Sequence, residues 1–468
     1  MTVLVMKFGG TSVGSPEAIH QAAQNTLALS EKWGEVCVVV SAMAGVTDQL
    51  TLGAESAAGG NPEKYQKILA DLRRKHFQVI DELLVNEYQQ EAIQTVDSHL
   101  DSFDQFCRSI LVLGEVTPRA MDVVTSLGER ILAPLFAAVL CSLGIHSESV
   151  EASELIVTDD KFQSAVPMMK LTCEQIKSKI TPLMKSGIVP VVTGFLGATE
   201  SGVITTLGRG GSDYSAAILG NCLNAEQVWI WTDVDGVMTS DPRLVTDARV
   251  LSKLSYRELS ELAYFGAKVV HPRTIRPVIA QNIPLLVKNT FNPESPGTMI
   301  VPEAEQIPST VKAVTAIEGL SLVNVEGRGM IGVPGIAART FAAVASQNAS
   351  VLMITQASSE QSITFVIKTE TVPRVIQALE NEMELELNRK DIDRIWAQDH
   401  VVLVTAVGKG LRKTPGVGAR VFNALAEARI NVIAVAQGSS ESSLSLVIDK
   451  SDLQAAVEKI HSEVILQF

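Results

Sequence analysis

Apolar residues in the first 300 positions come in short runs rather than in alternation with polar ones. Val3–Phe8, Val36–Val40, Ile188–Gly194, Val228–Trp231 and Ile283–Val287 are β-branched-rich and bordered by turn formers, the pattern of strands buried on both faces. Between them, apolar positions recur every three to four residues over Pro16–Trp33, Arg130–Leu143, Glu174–Lys185 and Tyr214–Leu223, which predicts helices. Strand and helix in alternation imply an α/β domain with a central, mostly parallel sheet flanked by helices. Residues 61–110 are highly charged, with amphipathic spacing and few strand signals, so they read as a helical excursion from the sheet.

The pattern changes at "NPESPGTMIVPEAEQIPST" (292–310), whose four prolines and several acids suit a boundary. Beyond it the chain repeats itself. "PGIAARTFAAVASQNASVLMITQASSEQSITFVI" from Pro334 aligns without a gap to "PGVGARVFNALAEARINVIAVAQGSSESSLSLVI" from Pro415, so that Arg339 meets Arg420 and Gln356 meets Gln437. Each copy reads strand, Pro-Gly turn, helix, strand, polar turn, strand, helix. Two copies at this period suit a pair of related α+β domains better than a solenoid, which stacks more and shorter units. The expected organisation is a catalytic domain over 1–300, a linker over 301–315, and two small domains over 316–392 and 393–468 with strand exchange between them.

Bulk properties narrow the options. A chain of 468 residues, 46% apolar, has material for two to four domains. No stretch of membrane-spanning length is free of charge, and Met1 leads straight into a strand pattern. A cytoplasmic protein with no membrane partner is therefore expected. The net charge of −13 argues against a nucleic-acid partner but not against a nucleotide, which needs only a few placed cations. Cys37, Cys107, Cys141, Cys173 and Cys222 form no CxxC pair, so neither zinc nor a disulfide framework is expected, and reduced thiols are the default.

Candidate chemistry sits where strands meet glycine-rich turns. "KFGGTSVGSP" (7–16) places Lys7 at a strand's end, then Gly9 and Gly10, then a Ser15-Pro16 helix start. Glycines allow close approach and positive φ, and successive N–H groups can cradle an anion. The bland alternative is a tight turn with a snorkelling lysine. "TTLGRGGSDYSAA" (205–217) is a second such turn, carrying Arg209 and Asp213, and "IWTDVDGVMTSDPR" (230–243) ends a buried strand in acids and an arginine. "YFGAKVVHPRTI" (264–275) adds Lys268 and His271, which could equally cap a helix. No acid-terminated second strand follows a glycine turn, which excludes a dinucleotide fold. Together the loops point to phosphoryl transfer, although the P-loop and protein-kinase motifs are missing.

"KFGGTSVG", "VVSAMAGVTD" (39–48), "SLGERI" (126–131), "TLGRGGSDYSA", "WTDVDGV" and "YFGAKVVHPRTI" occur in this order, and they resemble the amino-acid kinase family, specifically its aspartokinase branch. The tail resembles paired ACT regulatory domains, so the likeness covers essentially the whole chain. It implies an amino-acid kinase fold followed by two βαββαβ, ferredoxin-like ACT domains. It also implies transfer of the ATP γ-phosphoryl to the side-chain carboxylate of L-aspartate. By resemblance, Lys7, Asp213 and Lys268 are catalytic. Ser41, Thr47, Glu129, Arg209, Gly211 and Ser212 hold aspartate. Lys7, Gly9, Gly10, Ser12, Thr232, Asp233, Met238, Arg243 and Lys268 line the nucleotide, with Gly208 shaping the loop. Met238 stands where many relatives have tyrosine. ATP-Mg is the expected cofactor, its Mg²⁺ carried on phosphate and water ligands rather than on a protein metal site. The turns after Gln356 and Gln437 look like those of threonine-responsive relatives and of the kinase half of enzymes joined to homoserine dehydrogenase. An effector at these glutamines, threonine before lysine, and a homo-oligomer formed through the ACT domains, dimer or tetramer, are expected. No dehydrogenase follows residue 468, so a monofunctional chain is expected. Another acylphosphate-forming kinase, such as a glutamate kinase, and a catalytically silent amino-acid sensor are the competing readings.

Overall fold

The structure, a computed structural model, describes the chain except residues 1, 268–269, 271–273, 304–310, 357–360, 413, 439–441 and 466–468. Up to residue 301 the elements run β1 (Val3–Phe8), α1 (Pro16–Ser30), β2 (Glu35–Val40), α2 (Val46–Ala58), α3 (Pro62–Leu83), α4 (Asn86–Leu113), α5 (Pro118–Ser142), β3 (Ser147–Val150) and β4 (Val157–Thr158). They continue α6 (Met169–Lys185), β5 (Val189–Thr193), β6 (Leu196–Thr199), β7 (Ile204–Thr206), α7 (Gly211–Cys222), β8 (Gln227–Thr232), β9 (Lys253–Ser255), α8 (Tyr256–Tyr264), α9 (Arg276–Ala280), β10 (Leu285–Asn289) and β11 (Thr298–Val301). The chain then folds as β12 (Ala313–Glu326), α10 (Ile336–Ser346), β13 (Met353–Gln356), β14 (Ser362–Lys368), α11 (Val372–Glu382), α12 (Glu384–Arg389), β15 (Arg394–Val407), α13 (Val417–Glu427), β16 (Ala434–Ala436), β17 (Ser443–Asp449) and α14 (Leu453–Ile460).

Two compact units result. The first holds residues 1–237, 250–259 and 269–304, and the second holds 238–249, 260–268 and 305–468. The second unit thus takes in two stretches, 238–249 and 260–268, that precede residue 300. Val245 packs with Val314, Val404 and Leu446, and Phe265 packs with Leu320, Val366 and Leu403, so apolar burial draws 238–249 and 260–268 into the second unit.

The first unit is built on a sheet ordered β3-β5-β2-β1-β8-β10-β11-β9. Its strands pair in parallel except for β10 with β11. Every residue of β1 and β5 is buried, as expected of strands covered on both faces. Strand order reverses at β1, with β2 on one side and β8 on the other, so a crevice opens beyond their carboxyl ends. The helical excursion is α3 and α4, which pack on α2 and α5. Leu72, Val79, Leu100 and Phe103 join one core with Leu4, Phe8 and Phe136. One described helix, α5, is long and apolar enough to cross a membrane, but 78% of that window is buried within the unit. Ser15 caps α1, accepting a hydrogen bond from Ala18 N–H, with Pro16 at the first position, as the sequence pattern requires.

The expectation of reduced thiols fails for one pair. Cys173 on α6 and Cys222 at the end of α7 form a disulfide with their Cα atoms 4.8 Å apart. They stand 49 positions apart, so spacing carried no signal and only the packing of α6 beside α7 brings them together.

The second unit is one sheet ordered β13-β14-β12-β15-β17-β16. The internal repeat maps onto it directly. β12 spans 313–326 and β15 spans 394–407, α10 spans 336–346 and α13 spans 417–427, and β14 spans 362–368 and β17 spans 443–449. β12 and β15 lie antiparallel at the centre. Leu322–Glu326 of β12 pair with Arg394–Gln398, and Ala313–Ile317 pair with Leu403–Val407. Each long strand therefore completes the half-sheet of the other repeat, and β12 begins inside the segment read as linker.

Gly128 on α5 sets how closely the helix approaches the chain after β2. A Cβ there would stand 2.7 Å from the Ala42 Cβ and 3.4 Å from Val46 Cγ1. Gly128→Ala gains helix propensity, worth up to about 1 kcal/mol, but overpacks the contact at roughly 1–3 kcal/mol. A lower urea midpoint with an unchanged m-value is expected, and a variant more stable than wild type contradicts this packing.

Candidate active site

The crevice beyond β1, β2 and β8 holds Lys7 from the first loop that the sequence singled out and residues 208–213 from the second. Lys7, near the end of β1, is 8% exposed, and its ammonium meets the Asp213 carboxylate at 2.5 Å. Asp213 lies in the first turn of α7, where the helix N-terminus favours a negative charge. The turn leading into α7 depends on glycine at two positions: Gly208 and Gly210 have φ of 78° and 72°, a region side chains avoid.

A cavity of about 430 Å³ opens on this pair, and Ser41, Thr47, Glu129, Arg209, Gly211 and Ser212 line it with Lys7 and Asp213. Arg209 is exposed and makes no ion pair among the described residues. Glu129, on α5, is 3% exposed, and its Oε2 has no hydrogen-bond partner. Burial pushes its carboxyl up to about 8, against the opposing pull of the Ala42 N–H bond and the Lys7 charge. One cavity thus carries a free guanidinium, a buried carboxyl with a vacant acceptor and a lysine held by its counter-ion. Such a set can take a ligand bearing a carboxylate and an ammonium, and can face phosphate oxygens.

Several expectations need correction. Gly9 and Gly10 do not use positive φ; Gly10 is right-handed helical at φ −57°. Their smallness serves close approach, since a Cβ on Gly10 would lie 3.2 Å from the Ala42 carbonyl and one on Gly9 would lie 3.4 Å from the Trp231 carbonyl. The Gly9 N–H is already bonded to Trp231 O at 3.1 Å, so it is not a spare anion donor. Ser12 is fully buried, donates to the same carbonyl and accepts from Thr290. These bonds tie the turn after β1 to the ends of β8 and β10. Thr232 ends β8 and Asp233 follows it, the Thr232 hydroxyl donating to the Asp233 carboxylate at 3.1 Å. Asp235 accepts from Asn289 and Asn292. Met238 and Arg243 belong to the second unit, where Arg243 is tied to Asp241 at 2.6 Å. Lys268 and His271 lie outside the described residues.

The sequence reading missed much of the cavity wall: Asp122 and Thr125 on α5, Gln163, Phe195 and Thr206. Asp122, Thr125 and Glu129 share one face of α5 at three- and four-residue spacing, a stripe that periodicity could have found. In the second unit, Gln437 lines a cavity of about 410 Å³ with Gly416, Phe422, Val435 and Leu444. Gln356 ends β13 and is exposed. Among the described residues no three His, Cys, Asp or Glu side chains cluster as a metal cage.

Residues 2–289 match the model of the Amino acid kinase family, and residues 323–383 and 404–464 match the ACT domain model. The chain is 37% identical over 466 residues to bifunctional aspartokinase/homoserine dehydrogenase 2, chloroplastic, of Zea mays, covering 99% of this chain and 50% of that protein. It is 31% identical to aspartokinase 3, chloroplastic, of Arabidopsis thaliana, covering 98% of this chain and 81% of the relative. The fold matches the crystal structure of E. coli aspartokinase III in complex with aspartate and ADP (R-state) with a TM-score of 0.83 at 30% identity, covering 99% of both chains. The chain spans about half the length of the curated bifunctional relatives it matches. The chain belongs to the amino acid kinase family and carries ACT domains after the kinase domain.

The raised Glu129 carboxyl has a stability consequence. Its folded pKa of about 8 lies above its ordinary 4.5, so the folded state holds the extra proton between these values and loses stability as pH rises through that window. Glu129→Gln removes the loss. In urea melts, the stability of Glu129→Gln relative to wild type should grow from pH 5 to pH 8 and level off above it. A difference independent of pH would show that the carboxyl is not held protonated.

Proposed function

We propose that this member of the amino acid kinase family is an aspartate kinase, transferring the ATP γ-phosphoryl to the β-carboxylate of L-aspartate to give 4-phospho-L-aspartate. The observation that carries the reading is that Lys7, Arg209 and Glu129 line one cavity. Arg209 would take a substrate carboxylate in a bidentate fork, and Glu129 would give its proton up and receive the α-ammonium. Ser41, Thr47, Gly211 and Ser212 would shape the rest of that subsite. The attacking carboxylate is ionised at neutral pH, so no general base is needed. Positioning and charge neutralisation carry the barrier reduction.

On the nucleotide side the proposal rests on Lys7, Gly9, Gly10, Thr232 and Asp233. Lys7 would neutralise oxygens of the transferring group, with Asp213 holding its ammonium in place. Mg²⁺ would arrive with the nucleotide, which suits its preference for few protein ligands. A cytoplasmic homo-oligomer formed through the ACT domains, dimer or tetramer, belongs to the same proposal. So does feedback by a small amino acid, threonine before lysine, with Gln356 and Gln437 as contacts. A glutamine amide can both donate to and accept from such a ligand, and the cavity at Gln437 suits an amino acid in size. Inhibition requires the effector to prefer a less active arrangement.

Aspartate-dependent ADP release with no comparable rate on glutamate is expected, and a preference for glutamate overturns the substrate assignment. Lys7→Ala should lose roughly 10³-fold or more in kcat while keeping a cooperative melt, whereas a folded variant with near-full turnover refutes the role of Lys7. Threonine should inhibit in the low-substrate assay, and inhibition by lysine alone overturns the effector assignment.

A further inference from the structure

We propose that Asp122 is a positioning residue, setting affinity for the acceptor amino acid by holding the loop that carries Arg209 without touching the ligand itself. The proposal rests on the aspartate kinase reading above.

Asp122 and Glu129 lie two turns apart on one face of α5, both buried at the same cavity. They differ in what remains free. Asp122 is 1% exposed, and both its oxygens are fully engaged. Gln163 N–H donates to Oδ1 and Oδ2 at 3.0 Å each, Thr206 N–H donates to Oδ2 at 3.0 Å, and the Thr206 hydroxyl donates to Oδ1 at 2.8 Å. Three donors thus hold both oxygens, the Gln163 N–H bridging them, and neither oxygen is left without a partner. Glu129 keeps one oxygen without a partner. The first carboxyl is built into the wall, and the second is open to the cavity.

The two anchors of Asp122 hold the chain that leads into the Arg209 turn. Thr206 ends β7, and its carbonyl accepts from Ala165 N–H while the following Leu207 N–H donates to Phe195 O. Gln163 is a non-glycine residue at φ 67°, a conformation that needs outside support. Its carbonyl lies against Gly208, where a Cβ would come within 2.8 Å. Arg209 follows Gly208, and no ion pair with a described residue steadies its side chain. Its placement is therefore inherited from the backbone, and Asp122 ties down both the strand end that enters the turn and the Gln163 segment packed against Gly208.

Asp122→Asn keeps the volume but turns an amide N–H₂ toward N–H and O–H donors, so it should free the turn. The test is steady-state kinetics of the full chain for wild type, Asp122→Asn, Thr206→Val, Arg209→Lys and the double variants. Asp122→Asn should raise KM for aspartate roughly 10-fold, and Thr206→Val, which loses only the hydroxyl donor, roughly 3-fold. KM for ATP should stay within about 2-fold for both. In the Arg209→Lys background either change should add little, because the group it positions is already altered. An unchanged KM for aspartate, equal rises for both substrates, or strict additivity with Arg209→Lys would overturn the proposal. If Asp122→Asn does not fold, Thr206→Val and its cycle with Arg209→Lys decide by the same criteria. Wild type that turns over no aspartate overturns the parent reading, and this proposal with it; normal wild-type turnover with unaffected variants overturns this proposal alone.

Discussion

A lysine that is 8% exposed must keep a counter-ion, and the site is arranged around that requirement. Lys7 meets Asp213 at 2.5 Å. Removing one partner of such a pair would strand the other at about 3–5 kcal/mol. The pair therefore ties the end of β1 to the start of α7, two elements far apart in the first unit's sequence. Once they are joined, the glycine turn before α7 has one place to go, and Arg209 arrives at the same cavity. The parallel sheet contributes the rest. Its order reverses at β1, so the carboxyl ends of β1, β2 and β8 deliver Lys7, Ser41 and Thr232 to one rim.

Burial treats the two carboxyls of α5 differently. Asp122 is surrounded by donors from β7 and the Gln163 turn, which oppose without cancelling the desolvation that pushes its carboxyl up. Glu129 lacks a full set and holds its proton to about 8. A buried, half-satisfied carboxyl is an unstable arrangement for a structural residue and a suitable one for a receptor of an ammonium group. The same helix thus supplies a fixed wall and a group whose charge responds to what enters the cavity.

Much of this was legible in the chain. Runs such as Val3–Phe8 and Val36–Val40 declare buried parallel strands because both faces must be apolar, and Ser15-Pro16 marks α1 because capping chemistry is local. The repeat was legible because the same contacts recur, down to matching limits for α10 and α13. What escaped notice depends on distant pairing. Asp122 looks like any helical acid until β7 and Gln163 close on it. Cys173 and Cys222 meet only through the packing of α6 and α7, and Ser12 looks like a ligand hydroxyl until Trp231 and Thr290 claim it. The division between units was hidden for the same reason, since Val245 and Phe265 find their core in strands far down the chain.

The central claim is that the cavity beside Lys7 joins a triphosphate tail to the side-chain carboxylate of a small diacid. Trapping the product with hydroxylamine tests it most directly, since an acyl phosphate yields a hydroxamate. The account predicts aspartyl hydroxamate in step with ADP when ATP, Mg²⁺ and L-aspartate are supplied. ADP released without hydroxamate, or no aspartate-dependent ADP at all, would contradict it.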